Sequence, residues 1–253
     1  MNNSEFNKKN IVILLPVFNE GRSIYDLLLN IEKKLKNKIT VIVVNDKSTD
    51  DSLDWINKFI LERNNIDIEV IQHQKNQGLG GALNSGLRYC LSNLSFDILV
   101  TMDGDNTHDP SLIPKMVNEI VSGKDIVIAS RYRKGASVKG VPKFRLFLSF
   151  GARICYSIIW NFKGVRDYTC LYRAYSFIVL KKAFESTDKD YLYEKGFLAS
   201  TELLKSVFIS GANVSEIPII INYSNKLQPS SMKVFKTIFK TLKVLIFRFR
   251  SSA

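Results

Sequence analysis

Two carboxylates one residue apart, Asp103 and Asp105, flank Gly104 just after the apolar run Phe96-Asp97-Ile98-Leu99-Val100. That run reads as a short buried strand, and Pro110 suits the first turn of a following helix, where a missing N–H costs nothing. Side chains leaving a strand edge through a glycine can converge on one hard divalent cation, which keeps positions open for a substrate's phosphate oxygens. Acidic pairs are common on loops, and Asp-x-Asp alone says little. Its place at the carboxyl end of a strand, where open α/β sheets hold their ligands, gives it weight.

The elements that position this pair are periodic. Strands are expected at Ile11–Leu15, Thr40–Val44, Ile66–His73, Phe96–Thr101 and Asp125–Ala129, and helices at Gly21–Lys36, Asp51–Arg63, Gly78–Ser92 and Pro110–Val121. Apolar five-residue runs separated by helical patterns predict an α/β fold, a mostly parallel, Rossmann-like sheet covered by helices on both faces. Four strand ends then carry polar clusters: Pro16–Glu20, Asn45–Asp50, Lys75–Gly81 and Asp103–Asp105. In a parallel sheet they line one crevice. A plainer reading, with Asp50 and Ser48 capping the second helix and the glycines only making turns, covers Asp50, Asp51 and Gly81 but not the clustering.

Beyond Ser130 the pattern changes to a Gly/Lys-rich loop, Arg131–Val141, and then an apolar helix, Pro142–Phe162, interrupted by Arg145 and Arg153. A further helix is expected at Phe197–Ser210, an extended segment at Val214–Tyr223, and a basic amphipathic helix at Met232–Arg250. The net charge of +12 is concentrated here: residues 131–182 hold 12 basic side chains against one acidic, Asp167. Such a block binds polyanions: nucleic acid, anionic lipid or a phosphorylated substrate. No nucleic-acid-binding signature accompanies it, so the expected partner is an anionic membrane surface, with the 142–162 helix and the tail lying in the headgroup plane.

Three cysteines without a CxxC, a polar opening segment and no apolar run of eighteen residues fit a reducing compartment and no spanning helix. The expected organisation is a disordered tail over 1–10, one α/β domain over 11–226 and a basic membrane-associating tail over 227–253.

In order and spacing, Pro16-Val17-Phe18-Asn19-Glu20, Val44-Asn45-Asp46-Lys47-Ser48-Thr49-Asp50, Asn76-Gln77-Gly78-Leu79-Gly80, Asp103-Gly104-Asp105 and Ser130-Arg131-Tyr132 resemble the family 2 glycosyltransferases of the A-type fold. The later set Gly140, Pro142, Arg145, Ser149, Gly151, Val165–Thr169 and Tyr172–Tyr175 looks like the dolichol- or polyprenol-phosphate mannosyltransferase group. The resemblance implies a nucleoside-diphosphate sugar, of GDP-mannose or UDP-glucose type, lying across the strand ends. Pro16, Phe18, Glu20, Val44 and Asp46 would hold the base and ribose, and Asp103 and Asp105 the metal, with Gly104 and Thr107 beside them. It implies a polyprenyl or dolichyl phosphate acceptor, contacted by Arg131, Arg145 and Ser149, that attacks the sugar with inversion at the cytoplasmic membrane face, by a peripheral or monotopic enzyme.

The chain departs from the group in places. Thr107 stands where the group has Gln, Thr169-Cys170-Leu171-Tyr172-Arg173 replaces Thr-Ser-Gly-Phe-Arg, and the late Arg and Lys fall at Asn225 and Ser231, with Lys226 and Lys233 near enough to replace them. Two other readings stay open: transfer to a saccharide or other non-lipid acceptor, which would want a carboxylate base, and a non-catalytic nucleotide-sugar-binding module. His73 reads as structural, His108 as a neighbour of the metal pair, and Glu202 as either a site residue or a solvated helix residue.

Overall fold

Val, Ile and Leu fill four strands that are buried along almost their whole length: β1 (Ile11–Val17), β2 (Ile39–Asn45), β4 (Ile98–Thr101) and β5 (Ile126–Ser130). Strands so apolar on both faces need helices above and below. α1 (Arg22–Lys34), α2 (Ser52–Glu62), α3 (Gly78–Asn93) and α4 (Ile113–Val121) supply them. In α1 the buried Ile24, Leu27, Leu28 and Ile31 recur at helical spacing, and Lys33 and Lys34 complement the negative end of its dipole. This is a computed structural model, and it describes residues 8–35, 38–63, 65–141, 143–185 and 191–223.

β3 (Asp67–Gln72) forms one edge of a seven-stranded sheet in the order β3-β2-β1-β4-β7-β5-β8. β8 (Val214–Pro218) is the other edge and runs parallel to β5. The expectation of a mostly parallel sheet holds, with one exception at its centre. β7 (Arg173–Ser176) lies between β4 and β5 and is antiparallel to both. Sequence reading missed this strand and the following α6 (Phe177–Phe184), because Arg-Ala-Tyr-Ser is too short to show a period. Its reversal has a consequence for the site. The start of β7, not its end, lies at the carboxyl edge of its parallel neighbours, so residues 165–172 reach the strand-end crevice.

The predicted Arg131–Val141 loop contains β6 (Ser137–Lys139), which pairs in parallel with β9 (Ile220–Asn222). The single extended segment expected over Val214–Tyr223 is therefore two strands in two sheets. The predicted 142–162 helix is α5 (Lys143–Trp160), and that predicted at Phe197–Ser210 is α7 (Leu198–Ile209). At the chain start, Asn10 N–H donates to Asp97 at 2.9 Å and Lys9 pairs with it at 3.5 Å, so these two residues, expected in a disordered tail, are anchored. The Met232–Arg250 helix, Lys226 and the 227–253 tail lie outside the described residues. Among those described, no helix is long and apolar enough to cross a membrane.

α5 has two unlike faces. Phe150, Ile154 and Ile158 recur every fourth residue and are exposed, as is Phe144, with Ile158 at 68%. On another face Tyr156 is buried and stacks on Tyr168, while Trp160 stacks on Phe162. The apolar side that a soluble helix would bury is turned outward.

The glycines opening α3 have a packing reason. The segment before α7 comes so close that a Cβ at Gly80 would sit 1.6 Å from the Glu194 carbonyl oxygen, and one at Gly78 2.2 Å from that of Lys195. Gly80 N–H donates to the Lys195 carbonyl at 3.1 Å. Gly80→Ala should destabilise the protein by about 2 kcal/mol or more through this forced backbone shift, whereas Gly196→Ala, with open space around the new methyl, should be near neutral. Denaturant midpoints of the two variants check the contrast.

Candidate active site

The loops after β1 and β2 are laced together by side chains accepting backbone N–H groups. Ser48 Oγ accepts from Asn19 N–H, Ser52 Oγ from those of Glu20 and Gly21, and Asp50 from that of Gly21. Asp46 N–H donates to the Val17 carbonyl at 2.8 Å. Asp50, read as a helix cap, does accept the N–H of Ser52 at the start of α2, at 3.1 Å, and is also a clasp between loops. The β4 loop joins them because Gly104 has no side chain: a Cβ there would meet Val17 Cγ2 at 3.0 Å and the Pro16 carbonyl oxygen at 3.2 Å. The Pro16–Glu20 loop and the Asp-x-Asp pair are therefore in contact.

Two donor-site expectations change in kind. Val44 is wholly buried in the sheet core, so only its backbone is near the crevice. Asp46 is buried as well, and its carboxylate already has three partners: His73 Nδ1 at 2.7 Å and Gln77 N–H at 2.8 Å on Oδ1, and Gly78 N–H at 2.7 Å on Oδ2. It fixes the loop that starts α3, with His73 braced from behind by Ser85 Oγ at 2.8 Å. His73 is structural, as expected.

The acidic pair is arranged asymmetrically. Asp103 is half-buried, its side chain 41% exposed, while Asp105 is buried. Thr107, standing where the resembled group has Gln, holds Asp105 Oδ1 through both its hydroxyl, at 2.7 Å, and its N–H, at 3.1 Å. His108 is buried, stacks on Tyr172 and accepts the Asp103 N–H on Nδ1 at 3.3 Å. Its other ring nitrogen, Nε2, lies 3.7 Å from Asp103 Oδ2. Among the described residues no group of three or more His, Cys, Asp or Glu encloses a metal. Two carboxylates on one turn suit Mg²⁺ or Mn²⁺ completed by water and substrate phosphate, not an all-protein cage.

On the far side of the crevice Arg131 follows β5 and is held by the segment that the reversal of β7 delivers. Its Nε and Nη2 donate to Asp167 at 2.8 and 2.6 Å, Nη2 also donates to Thr169 Oγ1 at 2.6 Å, and its backbone N–H donates to Asp167 at 3.0 Å. The side chain remains 20% exposed, and Nη1 has no partner among the described residues. Asp167 is fully buried. Burial by itself pushes its carboxyl up, but the Arg131 charge and the hydrogen bonds of Arg131 and Cys170 outweigh that and hold it below the ordinary carboxylate range. Glu216 on β8 supports the turn, accepting the N–H groups of Arg166 and Asp167 at 2.6 and 2.8 Å.

Ser149 is placed beside this cluster: its Oγ is 2.8 Å from the Tyr132 hydroxyl. Arg145 is one turn earlier on α5, and its side chain is outside what is described. The sequence shows Tyr132 and Thr169 only as motif residues without a role, and Tyr223 only as the end of an extended segment. Tyr223 follows β9, and its hydroxyl is pushed up to about 12, first by burial and then by the charges of Asp103 and Asp105, against the opposing charge of Arg131. It feels both clusters, which are thus neighbours across one crevice. Glu202, left open between two readings, accepts the N–H groups of Tyr193 and Glu194 at 3.0 and 2.9 Å, and so fixes the loop packed on α3.

A seven-stranded sheet with one reversed strand and an acidic pair at its carboxyl edge is the A-type glycosyltransferase fold. Residues 12–184 match the pattern of glycosyl transferase family 2, and the chain belongs to that family; it is a glycosyltransferase. It is 26% identical to a dolichol-phosphate mannosyltransferase of Pyrococcus furiosus, over 92% of this chain and 62% of that one. It is 29% identical to an undecaprenyl-phosphate mannosyltransferase of Micrococcus luteus, covering 83% of this chain and 82% of the relative. A UDP-N-acetylglucosamine–dolichyl-phosphate N-acetylglucosaminyltransferase of Methanococcus voltae is 27% identical over 92% of this chain and 95% of its own. In fold it is similar to glucosyl-3-phosphoglycerate synthase of Mycobacterium tuberculosis, solved with Mn²⁺ and UDP, with a TM-score of 0.65 at 18% identity, over 95% of this chain and 82% of that one.

Because the folded Asp167 carboxyl titrates below its unfolded value of about 3.9, the stability it contributes is present above that value and is lost as pH falls through the folded one. Asp167→Asn should therefore lower the melting temperature near neutral pH, by the equivalent of about 3 kcal/mol for a broken buried pair. The gap to wild type should begin to narrow as pH falls below ~3.9, and melting curves from pH ~2 to 7 check it.

Proposed function

We propose that this glycosyltransferase moves one hexose from a nucleoside-diphosphate sugar, of GDP-mannose or UDP-glucose type, to a polyprenyl or dolichyl phosphate, with inversion. The observation that carries the reading concerns carboxylates. Between Asp125 and Glu185 Asp167 is the only one, and it is fully committed to Arg131. Transfer to a sugar hydroxyl wants a carboxylate base near the acceptor, which disfavours the saccharide reading. A phosphate monoester, with a second pKa near ~6, is already an ionised nucleophile at neutral pH and wants cations and hydroxyl donors instead. The phospho-lipid transferases among the relatives support the same acceptor.

In this reading Asp103 and Asp105 hold Mg²⁺ or Mn²⁺ beside the donor diphosphate. Such an ion neutralises charge growing on the leaving diphosphate. Thr107 keeps Asp105 in place and Gly104 lets the loops close. Pro16, Phe18 and Glu20 hold base and ribose, with Val44 contributing backbone and Asp46 fixing the adjoining loop. Lys226, outside the described residues, is assigned to the donor diphosphate in place of the group's late cation. Arg131, Arg145 and Ser149 receive the acceptor phosphate, Arg131 through its unpartnered Nη1. The intact metal pair argues against a non-catalytic binding module.

The test is incubation with Mn²⁺, a panel of nucleotide sugars and a short polyprenyl phosphate. Labelled sugar should appear in the lipid, chelation should stop the transfer, and Asp105→Ala should cost about 10²-fold or more. Transfer that survives chelation, or only to saccharides, would overturn the reading.

The outward apolar face of α5 and the basic residues after Met232 support peripheral attachment at the cytoplasmic face of a membrane. On flotation the protein should rise with anionic liposomes and be partly released by salt, since each cation near such a surface adds about 1 kcal/mol. Ile158→Glu should weaken the association even at high salt, where only the apolar contribution persists.

A further inference from the structure

Arg153 is the partly buried cation that the acceptor reading leaves unused. Its guanidinium stacks 4.7 Å from the centroid of the Tyr132 ring and 5.6 Å from that of Phe150. The Tyr132 ring also lies 5.6 Å from the Arg131 guanidinium, and its hydroxyl is 2.8 Å from Ser149 Oγ. Three polar groups from two elements, Arg131 from the loop after β5 and Ser149 and Arg153 from α5, thus gather on one aromatic ring. Ser149 and Arg153 are four residues apart and share a face, and Arg145 begins the same row by its spacing.

Among the described residues the charge is uncompensated. Arg153 has no carboxylate partner among the described residues, and the nearby acid, Asp167, is engaged with Arg131. Withdrawing a guanidinium partly from water without a counter-ion is costly unless an anion arrives. The stack on Tyr132 fixes the plane of the fork and leaves its N–H edges for hydrogen bonds.

We propose that Arg153 is a third cationic contact for the phosphate monoester of the acceptor, and that Tyr132 is the positioning residue that sets Arg131, Ser149 and Arg153 around it. This deepens the function proposed above and rests on it. A phosphate dianion presents three oxygens, each able to accept more than one hydrogen bond, enough for three guanidinium groups and a hydroxyl donor together. Tyr132, being neutral, can sit among the cations without quenching them.

The test compares full-length wild type with Arg153→Met, which keeps the stem and removes the charge, and with Arg153→Lys. Three quantities are read: the apparent KM for a short-chain polyprenyl monophosphate in detergent, the KM for the nucleotide sugar, and flotation with phosphatidylglycerol-containing vesicles. The expected result is a rise in acceptor KM of about tenfold or more for Met, as for a lost charge-assisted hydrogen bond, and a smaller rise for Lys. Donor KM and flotation should not move. Tyr132→Phe, which keeps the ring and frees Ser149, should raise the acceptor KM alone as well.

An unchanged acceptor KM with reduced flotation would assign Arg153 to bulk lipid headgroups and overturn the proposal. A weakened donor KM would move it to the donor site and overturn the proposal equally. Wild type that transfers to the polyprenyl phosphate, with Met and Lys variants equally active, overturns this inference and leaves the function standing. Wild type that never uses the phosphorylated lipid overturns both.

Discussion

The buried ion pair between Asp167 and Arg131 is the constraint on which the site depends. A carboxylate without solvent is tolerable only when its oxygens are saturated by charge and hydrogen bonds. Asp167 meets that condition with the Arg131 side chain and N–H, and with the amides of Thr169 and Cys170. In return it fixes the direction of a guanidinium that would otherwise be long and loose. Glu216, also buried, holds the turn that carries Asp167 and lies 3.2 Å from Arg133. Anions beneath and cations above give the crevice a positive wall whose geometry does not rely on a ligand.

The opposite wall is held by different forces. There the loops after β1, β2 and β4 are joined by short hydroxyl and carboxylate bonds to backbone amides, and by a glycine at the point of closest approach. These contacts are local to the sheet edge and put little net charge into the framework. The negative potential of that side is concentrated on Asp103 and Asp105. The crevice is consequently polarised, acidic where a metal diphosphate suits it and cationic where a phosphate suits it, and Tyr223 stands between the two in the field of both.

How much of this was legible in the sequence follows from how local each signal is. β1 to β5 and α1 to α4 announced themselves because burial on one or two faces imposes a period, and the strand-end clusters followed from sheet geometry. β7 was not legible: its four residues are fixed by neighbours at least 45 positions away in β5 and more than 70 in β4, not by their own pattern. The clasp role of Asp50, the core burial of Val44 and the saturation of Asp46 were hidden for the same reason, since residue type tells what a group can bind and not what already occupies it. Arg131 and Ser149 were found through charge clustering and resemblance, whereas Tyr132, quoted in the same motif as Arg131, carried no charge that would suggest a role.

The strand order also dictates a schedule of assembly. Residues up to Thr101 can pair among themselves as β3-β2-β1-β4 while the rest of the chain is still emerging, since every partner in that block precedes its end. β5 cannot join by docking on β4, because the slot between them belongs to a segment about 45 residues further on. Until Arg173–Ser176 arrives, the β4 edge and both edges of β5 present unpaired N–H and C=O groups, the condition in which chains associate with one another. Filling of the slot between β4 and β5 and arrival of Asp167 beside Arg131 are one event, and the other edge of β5 stays open until β8 brings Glu216 beneath the same turn, so the cationic side of the crevice matures last.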